Sequence, residues 1–117
     1  MPIRRTLRFT YIEPFLPSYL RPASPHISNI IEKPLQDVGL DKLERLEAND
    51  IFFIDSTHVV RYGSDVVYEI LEILPSLCPG AIIHIHDIFL PDDYPEQWLS
   101  QDRYSWNEQY MLRPFCA

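Results

Sequence analysis

Residues 81–87 read Ala-Ile-Ile-His-Ile-His-Asp, and residues 51–58 read Ile-Phe-Phe-Ile-Asp-Ser-Thr-His. Each begins as an apolar run rich in β-branched or aromatic residues and reaches an acid, the pattern of a strand that ends at water. Both runs are apolar on both faces over most of their length. That suits a parallel sheet covered by helices on both sides. The chain between them is helical in pattern. Val66, Ile70, Ile73 and Leu77 are spaced by four, three and four, and Val67, Leu71 and Leu74 widen the same stripe. Ser64 is a natural N-cap, and Asp65 favours the positive helix start. Pro75 must kink or end the helix, and Pro79-Gly80 turns the chain into the next strand. Strand, helix and strand in this order form a βαβ unit.

Working outward, two further strands are expected at Phe9–Glu13 and Ile27–Glu32. Asp41–Ala48 reads as a short charged helix with Leu43 and Leu46 inward, and Trp106–Leu112 as a last helix. Pro14, Pro17, Pro22 and Pro25 leave only Leu16–Arg21 free for a helical turn. The expected fold is therefore α/β: a partial, mainly parallel Rossmann-like sheet of about four strands with flanking helices, in one domain over residues 1–117.

Composition narrows the function classes. The chain has 117 residues, of which 46% are hydrophobic, and a net charge of −7. So acidic a surface repels phosphate backbones, and no nucleic-acid partner is expected. Arg4, Arg5 and Arg8 read as a solvated arm rather than a binding patch. No stretch approaches the ~20 apolar residues of a membrane span, and no signal peptide is evident. We expect a cytoplasmic protein with Cys78 and Cys116 as free thiols. Three separated glycines, Gly39, Gly63 and Gly80, supply no phosphate-cradling loop, so a self-contained nucleotide site of that kind is not expected.

Ligands of open α/β sheets bind at the carboxyl ends of the strands. Glu13, Asp55 and Asp87 each end a proposed strand, and Asp37 lies just beyond another. If the strands at 51–55 and 81–87 are neighbours, Asp55, His58, His86 and Asp87 come together. Carboxylates with an imidazole can hold Mg²⁺ or Mn²⁺, or a histidine can serve as base. His84, deeper in its strand, reads as a hydrogen-bonded core histidine. Tyr94, Trp98 and Trp106 read first as aromatics closing the edge of a small core, and second as a stacking surface for a substrate.

The order of motifs resembles class I AdoMet-dependent methyltransferases, and within them a bacterial subgroup. The matching features are Tyr11-Ile12-Glu13-Pro14, Asp37, Asp55-x-x-His58, Asp65, Leu77-Cys78-Pro79-Gly80 and His86-Asp87. The resemblance implies that Glu13 binds the ribose hydroxyls of AdoMet and that Asp37 lies near the adenine amino group, with Asp55 also at the cofactor. It implies a cation held by Asp55, His86 and Asp87, and His58 as the catalytic base. Phe89–Tyr94 and Trp106-Asn107-Glu108-Gln109-Tyr110 resemble an extension found in that subgroup.

The family's first strand, glycine-rich turn and first helix have no counterpart here, nor do its last strands. We therefore expect a truncated domain, related to enzymes that methylate a small-molecule substrate, with weak or lost AdoMet binding and no activity alone. The alternative is a non-catalytic oligomerising or binding module built on the same slice of the fold, or a partner chain that supplies the missing strand. Uncovered sheet edges favour self-association. A homodimer is expected, with Phe9, Tyr11, Phe15 and Tyr19 near the contact.

Overall fold

The computed structural model describes residues 7–20, 27–43 and 45–115. Arg4, Arg5, Arg21, Pro22, Pro25, Glu44 and Cys116 lie outside them. The described residues form an α/β protein in two compact units that divide between Val38 and Gly39. Among them, no helix is long and apolar enough to cross a membrane.

The first unit holds strands β1 (Thr10–Ile12) and β2 (Asn29–Ile31). They pair in parallel, Thr10 against Asn29 and Ile12 against Ile31. Both are shorter than expected. Among the described residues, the connection holds one helical turn at Ser18–Leu20, within the expected Leu16–Arg21. A second such turn, Leu35–Asp37, follows β2.

The second unit contains the expected βαβ unit. Strands β3 (Ile51–Ile54) and β4 (Ile82–Ile85) are parallel neighbours, with Ile51 opposite Ile82 and Ile54 opposite Ile85. Helix α1 is described over Leu40–Leu43, at the start of the expected Asp41–Ala48, and Leu43 is buried as expected. Gly80 takes φ +93° before β4, and a Cβ there would stand 2.9 Å from the Ala48 side chain. Only glycine fits that turn.

The crossover helix begins with α2 (Asp65–Tyr68), where the Ser64 hydroxyl accepts the Val67 N–H as the expected N-cap. It widens into a π-helical turn at Glu69–Ile73 and closes as α3 (Leu74–Ser76). Pro75 has no N–H for the ordinary ladder, and the widened turn relieves its ring against the preceding carbonyl. Helices α4 (Glu96–Ser100) and α5 (Glu108–Leu112) follow. No helix was expected at α4.

Val66, Ile70 and Leu112 form the buried cluster, with Val60, Ile85, Ile88 and Leu90 packed against it. Leu71 departs from its expected stripe: it is 57% exposed, because the π turn rotates the helix surface past it. Among the described residues, the expected cover on both faces of β3–β4 is incomplete. Ile51, Phe53, Ile82 and Ile83 remain substantially exposed. His84 is correspondingly exposed and packs against Phe53 at 4.9 Å between ring centroids, not as a core residue.

Ile73 has no exposed surface. Ile73→Ala should therefore lower unfolding free energy by about 2–5 kcal/mol, and Leu71→Ala by no more than about 0.5 kcal/mol. Urea denaturation of the two variants checks the difference. Equal losses would mean that the helix presents a different face to the core.

Candidate functional site

The first unit carries two of the expected residues. Parallel pairing brings the C-terminal ends of β1 and β2 to the same side. Glu13 follows β1, its N–H bonded to the Ile31 carbonyl at 3.1 Å. Its carboxylate accepts the Phe15 N–H at 2.9 Å, which holds it in the turn. Asp37 closes the helical turn after β2 with its side chain exposed.

The second unit gathers the others. The register places Asp55 and His86 side by side just past Ile54 and Ile85, and the His86 N–H donates to the Ile54 carbonyl at 2.9 Å. His58 Nε2 lies 3.3 Å from Asp55 Oδ1. His86 Nδ1 lies 3.1 Å from Asp87 Oδ2 and 3.9 Å from Asp55 Oδ1. All four expected residues thus share one cluster at the strand ends. Donor atoms of Asp55, His58 and Asp87 lie within 4.8 Å of one another. Two carboxylates and an imidazole at that spacing suit a hard divalent cation. His58, expected as the base, is on this geometry also a third donor beside or in place of His86.

His58 and Asp87 both have left-handed backbones, φ 58° and 55°. For residues with a side chain, that conformation persists only where the surroundings hold it. The holding of His58 is visible. Its carbonyl accepts the N–H groups of Asn107 and Glu108 at 3.0 and 3.2 Å. Its Nδ1 lies 2.8 Å from Glu108 Oε2, and the Trp106 ring packs on the imidazole with centroids 4.0 Å apart. The ring is 3% exposed as a residue, with Nε2 turned toward Asp55.

The segment after Tyr104, whose chemistry the sequence does not disclose, is a set of fasteners. Asn107 bonds Val60 in both directions, its side-chain oxygen accepting the Val60 N–H and its amide donating to the Val60 carbonyl. Gln109 accepts the Phe89 N–H at 3.0 Å and donates to the Asp92 carbonyl at 3.2 Å. One residue ties the loop after β3, another the loop after β4, and Glu108 between them ties the imidazole. Asp65 adds a further tie, accepting both the N–H and the hydroxyl of Thr57.

Two buried acids stand behind the cluster. Burial raises the Glu108 carboxyl above its usual range, while the hydrogen bond and charge of His58 draw it back. Glu69 is 2% exposed and accepts the Ser56 hydroxyl at 3.1 Å. Burial first, then the charges of Asp65 and Glu108, push its pKa from 4.5 up to about 8. Glu69 carried a readable signal: it lies three residues after Val66 and four before Ile73, on the buried helix face. Glu108 carried none, because its partner is fifty residues away.

A family model described as a methyltransferase domain matches residues 8–88. The chain belongs to that methyltransferase-domain family, which implies AdoMet as the methyl donor. No curated protein and no solved structure gives a significant match. Asp55, His58, His86 and Asp87 fall within the matched residues, and Glu108 beyond them.

The buried acid makes stability depend on pH. Glu69 stays protonated in the folded chain up to about pH 8, whereas the unfolded chain ionises near 4.5. Between those values the native state binds more protons, so this group's contribution lowers stability as pH rises and levels off above them. Glu69→Gln should match the wild type in acid and exceed it by on the order of a few kcal/mol at about pH 9. Melting curves across that range check this. Parallel profiles would show that Glu69 is ionised within the fold.

Proposed function

We propose that this domain is related to enzymes that transfer the methyl group of AdoMet to a small-molecule acceptor, and that in a complete site His58 is the general base. The observation that carries the proposal is the orientation of the buried imidazole. Nδ1 is committed to Glu108, and Nε2 faces the acids at the strand ends. With the Nδ1 proton donated to Glu108, Nε2 presents a lone pair. It can take the proton of an acceptor hydroxyl or amine as that atom attacks the methyl carbon and the carbon–sulfur bond breaks. Glu108 stabilises the resulting imidazolium. AdoMet supplies the electrophilic methyl group.

Glu13 would bind the ribose hydroxyls and Asp37 the adenine amino group, consistent with their place at the same end of paired strands. The resemblance also puts Asp55 at the cofactor. Mg²⁺ or Mn²⁺ would be held by Asp55 and Asp87 with His58 or His86. With His58 as ligand, Glu108 becomes the carboxylate that orients a metal-bound imidazole. The bacterial Asp-x-x-His and His-Asp subgroup is the membership these residues support. The chain's three glycines form no glycine-rich turn. Binding of AdoMet by the 117-residue chain alone is therefore weak, and the chain alone is inactive.

Calorimetry with S-adenosylhomocysteine should give a dissociation constant of about 10 μM to 1 mM, weakened about tenfold by Glu13→Gln, since one lost charged hydrogen bond is worth about 1.5 kcal/mol or more. Millimolar Mg²⁺ or Mn²⁺ should raise the melting temperature, and Asp87→Asn should remove that rise. Sub-micromolar binding would contradict the weak-binding proposal. No binding at millimolar concentration would count against the transferase.

One observation favours the alternative, a non-catalytic module. Ile51, Phe53 and Ile82 lie on one face of β3–β4 and are between 49% and 62% exposed. An apolar sheet face of this kind is commonly an interaction surface. A second copy of the chain would cover it, in a homodimer. Light scattering should then give twice the 13.8 kDa of one chain, and Phe53→Asp should return the mass to that of a monomer. A monomeric wild type would exclude self-association as the cover.

A further inference from the structure

Beside the acid–imidazole cluster lies a cavity of about 450 Å³ walled by Tyr94, Trp98, Tyr104 and Trp106. Its size falls within the ~300–1,000 Å³ of small-molecule sites. The walls follow from local structure. Helix α4 presents Trp98, and the chain then reverses at Arg103, with φ 57°. The Tyr104 N–H bonds back to the Trp98 carbonyl at 2.8 Å. Tyr104 and Trp106 are two apart, and their rings stack on one another. The rings are nearly parallel, 10° apart in plane and 5.1 Å between centroids. Trp98 stands at 78° to Tyr104 and 80° to Trp106. Ring planes thus meet at a corner.

The charged groups of the lining are of one sign. Asp93 and Glu96 contribute carboxylates, and among the described residues no lysine, arginine or histidine lines the cavity. Asp93 is held in place by the Tyr110 hydroxyl, which donates to it at 3.0 Å. Aromatic faces carry negative quadrupole density, and a corner of such faces with carboxylates beside it attracts an organic cation. Trp106 is shared: it lines the cavity and packs on His58. A ligand in the cavity is therefore separated from the imidazole by one indole ring.

We propose that this cavity binds an ammonium group, primary to quaternary, and that it selects acceptor substrates carrying one. The cation site stands on the cavity alone; its role in choosing the acceptor rests on the transferase proposal.

Choline is the probe, without AdoMet, and its neutral tert-butyl isostere is the control. The chain's two tryptophans, Trp98 and Trp106, both line the cavity, so intrinsic fluorescence reports on it directly. Choline should produce a saturable change at millimolar concentration, with the isostere about tenfold weaker. Asp93→Asn, at an exposed position, should weaken choline about threefold and leave the isostere unchanged, with its melting temperature confirming the fold. Equal binding of choline and isostere would overturn the inference, as would no saturation by choline. Choline binding without S-adenosylhomocysteine binding would uphold the cation site and remove the transferase. The reverse would remove the cation site alone.

Discussion

The second unit depends on how His58 is held. Its carbonyl, in a left-handed turn, takes two N–H groups from the start of α5, and its ring is pinned by Glu108 and Trp106. Each neutral bond contributes about 0.5–1.5 kcal/mol net, and the bond to a buried charged partner more. Their collective effect is positional. Loops at strand ends are ordinarily the mobile part of an α/β protein. Here one short segment, Asn107 to Gln109, fixes both loops and the imidazole between them. Breaking the Glu108 bond would free a buried carboxyl and the histidine it orients together, so the cost of the break exceeds the worth of the bond.

That arrangement concentrates negative charge. Burial raises the Glu69 and Glu108 carboxyls, and the neighbouring charges of Asp65 on both, Glu108 on Glu69 and Asp55 on Glu108 raise them further. A core acid held neutral by burial is a poor choice for stability, since an apolar residue of similar size would pack without the desolvation cost. The π turn begins at the same residue, Glu69. Two departures from ordinary helix design thus coincide behind the cluster, where strain and perturbed acids are most often functional.

What was legible beforehand was local. The βαβ unit followed from helix spacing in residues 65–77 and from two apolar runs, and Ser64 capped as its residue type requires. The convergence of Asp55, His58, His86 and Asp87 followed from one assumption, that β3 and β4 are neighbours. Long-range ties were not legible: no local rule links His58 to Glu108 or Phe89 to Gln109. His84 and Leu71 were misplaced for a different reason. Both expectations took the surface around them as covered, and His84 in fact lies beside an open sheet face. The β-strands came out short because pairing, rather than apolar content, sets where a strand ends.

One electrostatic theme connects the parts. Around the imidazole the chain supplies carboxylates, and around the neighbouring cavity it supplies carboxylates and π faces. The overall charge, −7, offers no distant compensation. Like charges gathered in a partly dry site are stable only with protons or cations among them. A proton on Glu69 is one such compensation. A divalent cation at Asp55 and Asp87 would be another, the sulfonium of AdoMet a third, and an ammonium group beside Trp106 a fourth. A cavity of this sign repels anionic ligands, so any selectivity it has would be set by charge before shape is read.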